Sequence, residues 1–175
     1  MILSFKQFLI EYTKHLYSGK SGFYSWVNVS SDSQKDLLEF FPELKLTAED
    51  VVDLHVTIMY SKVPVPEKHI NENNSMPDAR FIQAVKPKEV RWWAGHDGDG
   101  YLVLELSPTN LQHMHDKWKK VGAVPTFETF TPHITLKSNI PLSASLQRYI
   151  KEKNDQLDDL FEIVLVQEQV EDAKH

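Results

Sequence analysis

Cysteine is absent from all 175 residues, which excludes a disulfide framework and a thiolate zinc site. That absence agrees with a reducing cytoplasm, the expected location. A basic surplus is missing too. The formal net charge is −6, whereas proteins that grip long nucleic acid display cationic surface to displace phosphate counterions. The expected partner is therefore a small ligand rather than long nucleic acid, and nucleotides remain eligible. There is no long hydrophobic run at the start. Phe5, Phe8 and Leu9 are interrupted by Lys6, Glu11 and Lys14, so residues 1–16 read as neither a signal peptide nor a spanning helix, and no membrane is expected as a partner. Glycine is scarce, six in all, and forms no Gly-rich phosphate cradle. What is present, 41% apolar and 11% aromatic side chains, suffices to close one core and predicts a single domain over residues 1–175.

Periodicity supplies a coarse map. Ile2, Phe5, Leu9, Tyr12 and Leu16 predict an amphipathic helix over residues 1–19, ended by Ser18-Gly19. Phe23 to Val29 reads as a strand, and Ser31 or Asp32 as the cap of a short helix through Phe40. Residues 62–77, with three prolines and the polar run Asn71 to Ser75, read as a long surface loop. Arg80 to Val85 and Glu89 to Ala94 are predicted strands broken at Pro87. Gly95 to Gly100 is a hairpin turn, Tyr101 to Leu106 the return strand, and Pro108 opens a helix through Lys120. Leu142 to Lys151 suggests a helix, Phe161 to Val166 a last strand, and residues 168–175 a tail. The class is α+β with mainly antiparallel pairing.

Chemistry concentrates in two short segments, Leu54-His55-Val56-Thr57-Ile58 and Pro132-His133-Ile134-Thr135-Leu136. On a strand alternate side chains share a face, so each His projects beside its own Thr while the apolar residues project the other way. Of the eight histidines, only these two have Ser or Thr two residues on. With the apolar positions required as well, finding two by chance is on the order of a few in a thousand. A half-buried histidine satisfied by a nearby hydroxyl explains either strand alone. Duplication favours a site in which two imidazoles and two hydroxyls hold a phosphate and move protons around it.

Paired His-apolar-Thr-apolar strands, 78 residues apart in a small α+β chain, resemble the two-histidine (2H) phosphoesterase superfamily. That resemblance implies a bilobed fold, two mainly antiparallel sheets flanking a central cleft with helices outside. Phe23-Tyr24, Asp53 to Ser61, Trp92-Trp93 and Thr131 to Leu136 are similar to the phage-encoded anti-CBASS phosphodiesterase family. The resemblance implies a phosphodiesterase that needs no metal or other cofactor and degrades cyclic di- and trinucleotide messengers in the host cytoplasm. It places catalysis on His55, Thr57, His133 and Thr135. Around the nucleotide it implies Tyr24 (with Tyr12 competing), Trp92 or Trp93, and Glu168 (with Glu162 competing). Same-face parity adds Lys137 as a phosphate contact. Two rival functions are an enzyme acting on RNA ends or 2′,3′-cyclic phosphates, and a module that sequesters a nucleotide uncleaved. His113 and His115 read as surface histidines, since residues two apart on a helix diverge. Asp97 to Gly100 reads as a turn rather than a calcium loop.

Overall fold

The computed structural model describes residues 22–47, 50, 54–74, 83–96, 98–160 and 162–173. The expected N-terminal helix, Tyr12 and Asp97 lie outside the described residues. Seven strands are described: β1 (Gly22–Val29), β2 (His55–Ser61), β3 (Gln83–Val85), β4 (Pro87–Ala94), β5 (Asp99–Leu106), β6 (His133–Pro141) and β7 (Ile163–Ala173). The helices are α1 (Ser31–Phe40), α2 (Glu67–Asn74), α3 (Thr109–Lys120) and α4 (Ala144–Asp155).

The strands form one antiparallel sheet in the order β3-β7-β1-β2-β6-β5-β4. Its seam is thin. β2 and β6 share a single residue pair, Val56 with Ile134, so four strands and three strands make two lobes meeting at one point. The fold is α+β and bilobed as expected. β3 and β4 occupy opposite ends of the strand order although only Lys86 separates them in sequence. One intervening residue spans at most about 7 Å, so the sheet curls until its two edges nearly meet. Phe23, Leu37, Val56, Ile58, Leu102, Leu104, Ile134 and Trp118 fill the interior.

Several boundaries differ from the sequence reading, each for a local reason. The α1 cap is Ser30, whose extended backbone lets its hydroxyl accept from the Ser33 amide at 3.3 Å. Ser143 does the same for α4 through the Leu146 amide at 3.1 Å, so that helix starts at Ala144 and runs past Lys151. The predicted loop over residues 62–77 contains α2, which anchors through buried Ile70. Pro87 opens edge strand β4 instead of breaking it, because a proline lacks only a donor that an edge need not use. Residues 168–173, expected as part of a tail, belong to β7 and pair with β1.

Candidate functional site

Val56 and Ile134 are the seam pair, and both are wholly buried. Directly opposite residues on antiparallel strands share a face, so the residues flanking this pair share the other one. Extending the register sets His55 against Thr135 and Thr57 against His133. The two motifs are thus centred on one cross-strand contact, a disposition that neither motif states alone. Beyond that pair the strands separate, and Ser61 bridges to Pro125 while the Thr126 amide donates to the Tyr60 carbonyl at 2.9 Å. The segment between Pro125 and His133 therefore bows outward and leaves a cavity of about 440 Å³. Its walls include Thr57, Trp93, His115, Phe130, His133 and Thr135.

His133 is half-buried in the cavity wall. Its Nδ1 sits 2.8 Å from the Thr131 carbonyl oxygen. A carbonyl only accepts, so Nδ1 carries the hydrogen and Nε2 keeps the lone pair. Burial pushes its pKa down to about 4, opposed by the Thr131 hydrogen bond and reinforced by the neighbouring His55 charge. Thr135 Oγ1 is buried without a hydrogen-bond partner. An orphaned hydroxyl in a cavity wall is ready for a ligand oxygen.

His55 is buried and meets the Tyr24 hydroxyl through Nε2 at 2.9 Å. The same hydroxyl lies 3.2 Å from Thr57 Oγ1, so one phenol ties both members of the first motif together. The Tyr24 ring stacks on Trp26, centroids 4.8 Å apart. Neither Tyr24 nor His55 is among the cavity-lining residues.

Trp92 and Trp93 take opposite faces of β4, as strand parity demands. Trp93 lines the cavity with its ring centroid 4.2 Å from that of His133. Its indole N–H donates to Glu105 Oε1 at 3.2 Å, and Arg91 lies 3.4 Å from the same oxygen. Glu105 pairs with His133 across β5 and β6, so the carboxylate that holds Trp93 sits beside the second motif. Trp92 points away from the cavity and donates to the Ile140 carbonyl at 2.8 Å.

Three other expected ligand contacts are placed elsewhere. Glu168 is 5% exposed, and its Oε1 accepts from Ser25 Oγ at 2.8 Å and Trp118 Nε1 at 2.6 Å. Burial raises its pKa, against the lowering effect of both donors and Lys117. Lys137 is exposed on β6, and Glu162 is exposed before β7; neither lines the cavity. His115, expected on the surface, is buried and lines the cavity. Its helix faces the bowed segment, a neighbour that helical spacing does not reveal. Tyr101, Phe127 and Phe130 also reach the wall, and the aromatic-threonine run before His133 is the only sequence signal for the latter two. Among the described residues no group of three His, Asp or Glu side chains is arranged to hold a metal ion, and no helix is long and apolar enough to cross a membrane.

Both motifs are gathered on one seam of an antiparallel α+β fold, the bilobed arrangement expected of the two-histidine phosphoesterase fold. The family follows from comparison. The model described as "Anti-CBASS protein Acb1" matches residues 21–175, and the chain belongs to that family. It is 35% identical over 118 residues to anti-CBASS protein Acb1 of Enterobacteria phage T4, covering 61% of this chain and 72% of that one. The counterpart from Yersinia phage phiR1-RT is 33% identical over 119 residues, with coverage of 61% and 72%. Among solved structures, Kluyveromyces marxianus Usb1 with uridine monophosphate aligns at a TM-score of 0.49 and 12% identity, covering 88% of this chain and 94% of that one.

Proposed function

We propose that this protein is a phosphodiesterase that opens the 3′–5′ linkages of cyclic di- and trinucleotide messengers in the host cytoplasm, thereby countering CBASS immunity. The supporting observation is the seam pair, which centres two imidazoles and two hydroxyls on one face beside a cavity. His133 acts as base in the first step, because its neutral ring presents Nε2. It takes the proton of the ribose 2′-hydroxyl, whose oxygen bonds to phosphorus. The bond from phosphorus to the 5′ oxygen breaks, and His55, protonated at Nε2, gives that oxygen its proton. The 2′,3′-cyclic phosphate so formed is opened by water with the roles reversed. Thr57 and Thr135 donate to the non-bridging oxygens, and an incoming phosphate replaces the Tyr24 contact at His55 and Thr57. Trp93 stands where a base or ribose would lie against the His133 side of the site. Every step is proton transfer or hydrogen bonding by these side chains, so the reaction as written draws on no metal.

The test is turnover of cyclic dinucleotides, 2′,3′-cyclic nucleotides and end-labelled RNA, each with and without chelator. Cleavage of the cyclic dinucleotides, unaffected by chelator, is expected. Exclusive activity on RNA ends or 2′,3′-cyclic phosphates overturns the substrate assignment, and retention without turnover overturns the enzyme assignment. His55→Ala and His133→Ala should each lower kcat by about 10²- to 10⁴-fold. Thr57→Ala and Thr135→Ala should each lower it by about 10²- to 10³-fold. A substrate lacking the 2′-hydroxyl should resist cleavage altogether.

A further inference from the structure

The cavity contains a third histidine that the proposed reaction does not use. His115, on α3, is 6% exposed and shares the cavity wall with His133 and Thr135. Its Nδ1 lies 2.7 Å from the Ile58 carbonyl oxygen. As at His133, a carbonyl partner fixes the hydrogen on Nδ1 and leaves Nε2 as an acceptor.

The backbone explains why that carbonyl is available. Ser25 pairs with Met59 and Trp26 with Thr57, so Ile58 has no counterpart on β1. The pairing of β2 with β6 is confined to Val56. Ile58 is therefore a bulge residue at the opening seam, its ladder interrupted where α3 crosses. Phe130 stacks on the imidazole at a centroid distance of 4.3 Å and an interplanar angle of 7°, which fixes the ring plane. Burial also lowers the His115 pKa, opposed by the Ile58 hydrogen bond and by Asp116, with Lys119 adding to the lowering. At neutral pH the ring is uncharged. Position, plane, tautomer and charge are all set by the protein, and the one polar function left to it is acceptance of a hydrogen bond.

We propose that His115 is a specificity-determining residue whose Nε2 accepts a hydrogen bond from the exocyclic amino group of a purine base. This rests on the cyclic-nucleotide reading above. The surrounding wall suits a base. Phe127 lines the same cavity at 59% exposure, an aromatic face left open to solvent, and stacking on such a face is indifferent to base identity. An acceptor at a fixed position supplies the identity that stacking lacks, since a base without a donor there leaves Nε2 desolvated and unpaired.

The experiment compares cyclic di-AMP with its purine analogue lacking the 6-amino group, and cyclic di-GMP with its inosine analogue lacking the 2-amino group. The adenine and guanine arms show which base supplies the donor. Each pair is measured by kcat/KM and, in uncleavable 2′-deoxy form, by calorimetric binding, with wild type, His115→Phe and His115→Gln. The wild type should prefer the amino-bearing member of at least one pair by about 10- to 100-fold. His115→Phe should bring the amino-bearing member and its analogue to the same level, while His115→Gln, which retains an acceptor, restores part of the preference. An unchanged preference in His115→Phe, or an equal loss for both members, overturns the proposal. If His115→Phe does not fold, the wild type still decides: indifference to the amino group in both arms overturns it. Selective binding without cleavage would retire the phosphodiesterase reading and keep the role of His115. Cleavage without selectivity would do the opposite, and absence of both removes both.

Discussion

Two histidines in this fold are set by the same device, a backbone carbonyl on Nδ1, and the roles proposed for them differ. The His133 ring sits beside the seam pair, and the His115 ring stacks on Phe130 of the bowed segment. For His133 the depressed pKa has a kinetic consequence. The base must be unprotonated, so kcat/KM should hold steady as pH falls below 6.5 and decline only near the value of about 4 that burial imposes. A pH profile of kcat/KM with an acid limb near 6.5 would refute the assignment of His133 as the base. Glu168, expected from the sequence as a ligand contact, is buried. Its Oε1 is occupied by Ser25 and Trp118, and removal of one donor leaves a buried carboxylate short of a partner. Trp118→Phe should therefore destabilise the protein by about 1–3 kcal/mol, measured by denaturant unfolding.

Secondary elements that carry the site are ordinary; their junctions are not. The β4–β5 hairpin aims Trp93 at His133, and Gly100 permits it. A Cβ at Gly100 would fall on the Trp93 carbonyl oxygen and 2.5 Å from an indole carbon of Trp92. Because Trp92 is pinned by its bond to Ile140, Gly100→Ala should cost about 1–3 kcal/mol in stability and also lower turnover by displacing Trp93. Melting temperature and kcat measured together check this, and loss of stability with kcat intact would show that Trp93 does not depend on the hairpin. At this scale most strands and the helices α1, α3 and α4 were legible because hydrophobic periodicity and Pro108 mark them locally, whereas the caps Ser30 and Ser143 and the run of β7 past Val166 were not. Helix α2 was not, since its eight residues contain one apolar anchor, Ile70. Its helicity comes from docking rather than from pattern.

For the molecule as a whole, buried histidines make acid a liability. A folded-state pKa below the ordinary value means that the unfolded chain binds more protons, so stability rises with pH through that window. The contribution from His133 is fully present above about pH 6.5 and is lost as pH falls toward about 4, amounting to up to about 3 kcal/mol. His115 acts in the same direction. The melting temperature should fall over this interval, and His133→Gln should flatten the decline; an unchanged slope in that variant would show that His133 titrates normally. The amino-acid order alone determined the class of fold, the two strands that carry a His and a Thr on one face and the exclusion of a thiolate or disulfide chemistry, because these follow from periodicity, parity and composition along a contiguous stretch. Tertiary structure decided everything that depends on which strands become neighbours. It centred the two motifs on Val56 and Ile134, chose Trp93 over Trp92 for the cavity, placed Glu168 beneath Trp118, and brought His115 to the wall. The seam where β2 and β6 separate is a product of curvature across all seven strands, and no local pattern encodes where a curled sheet will open.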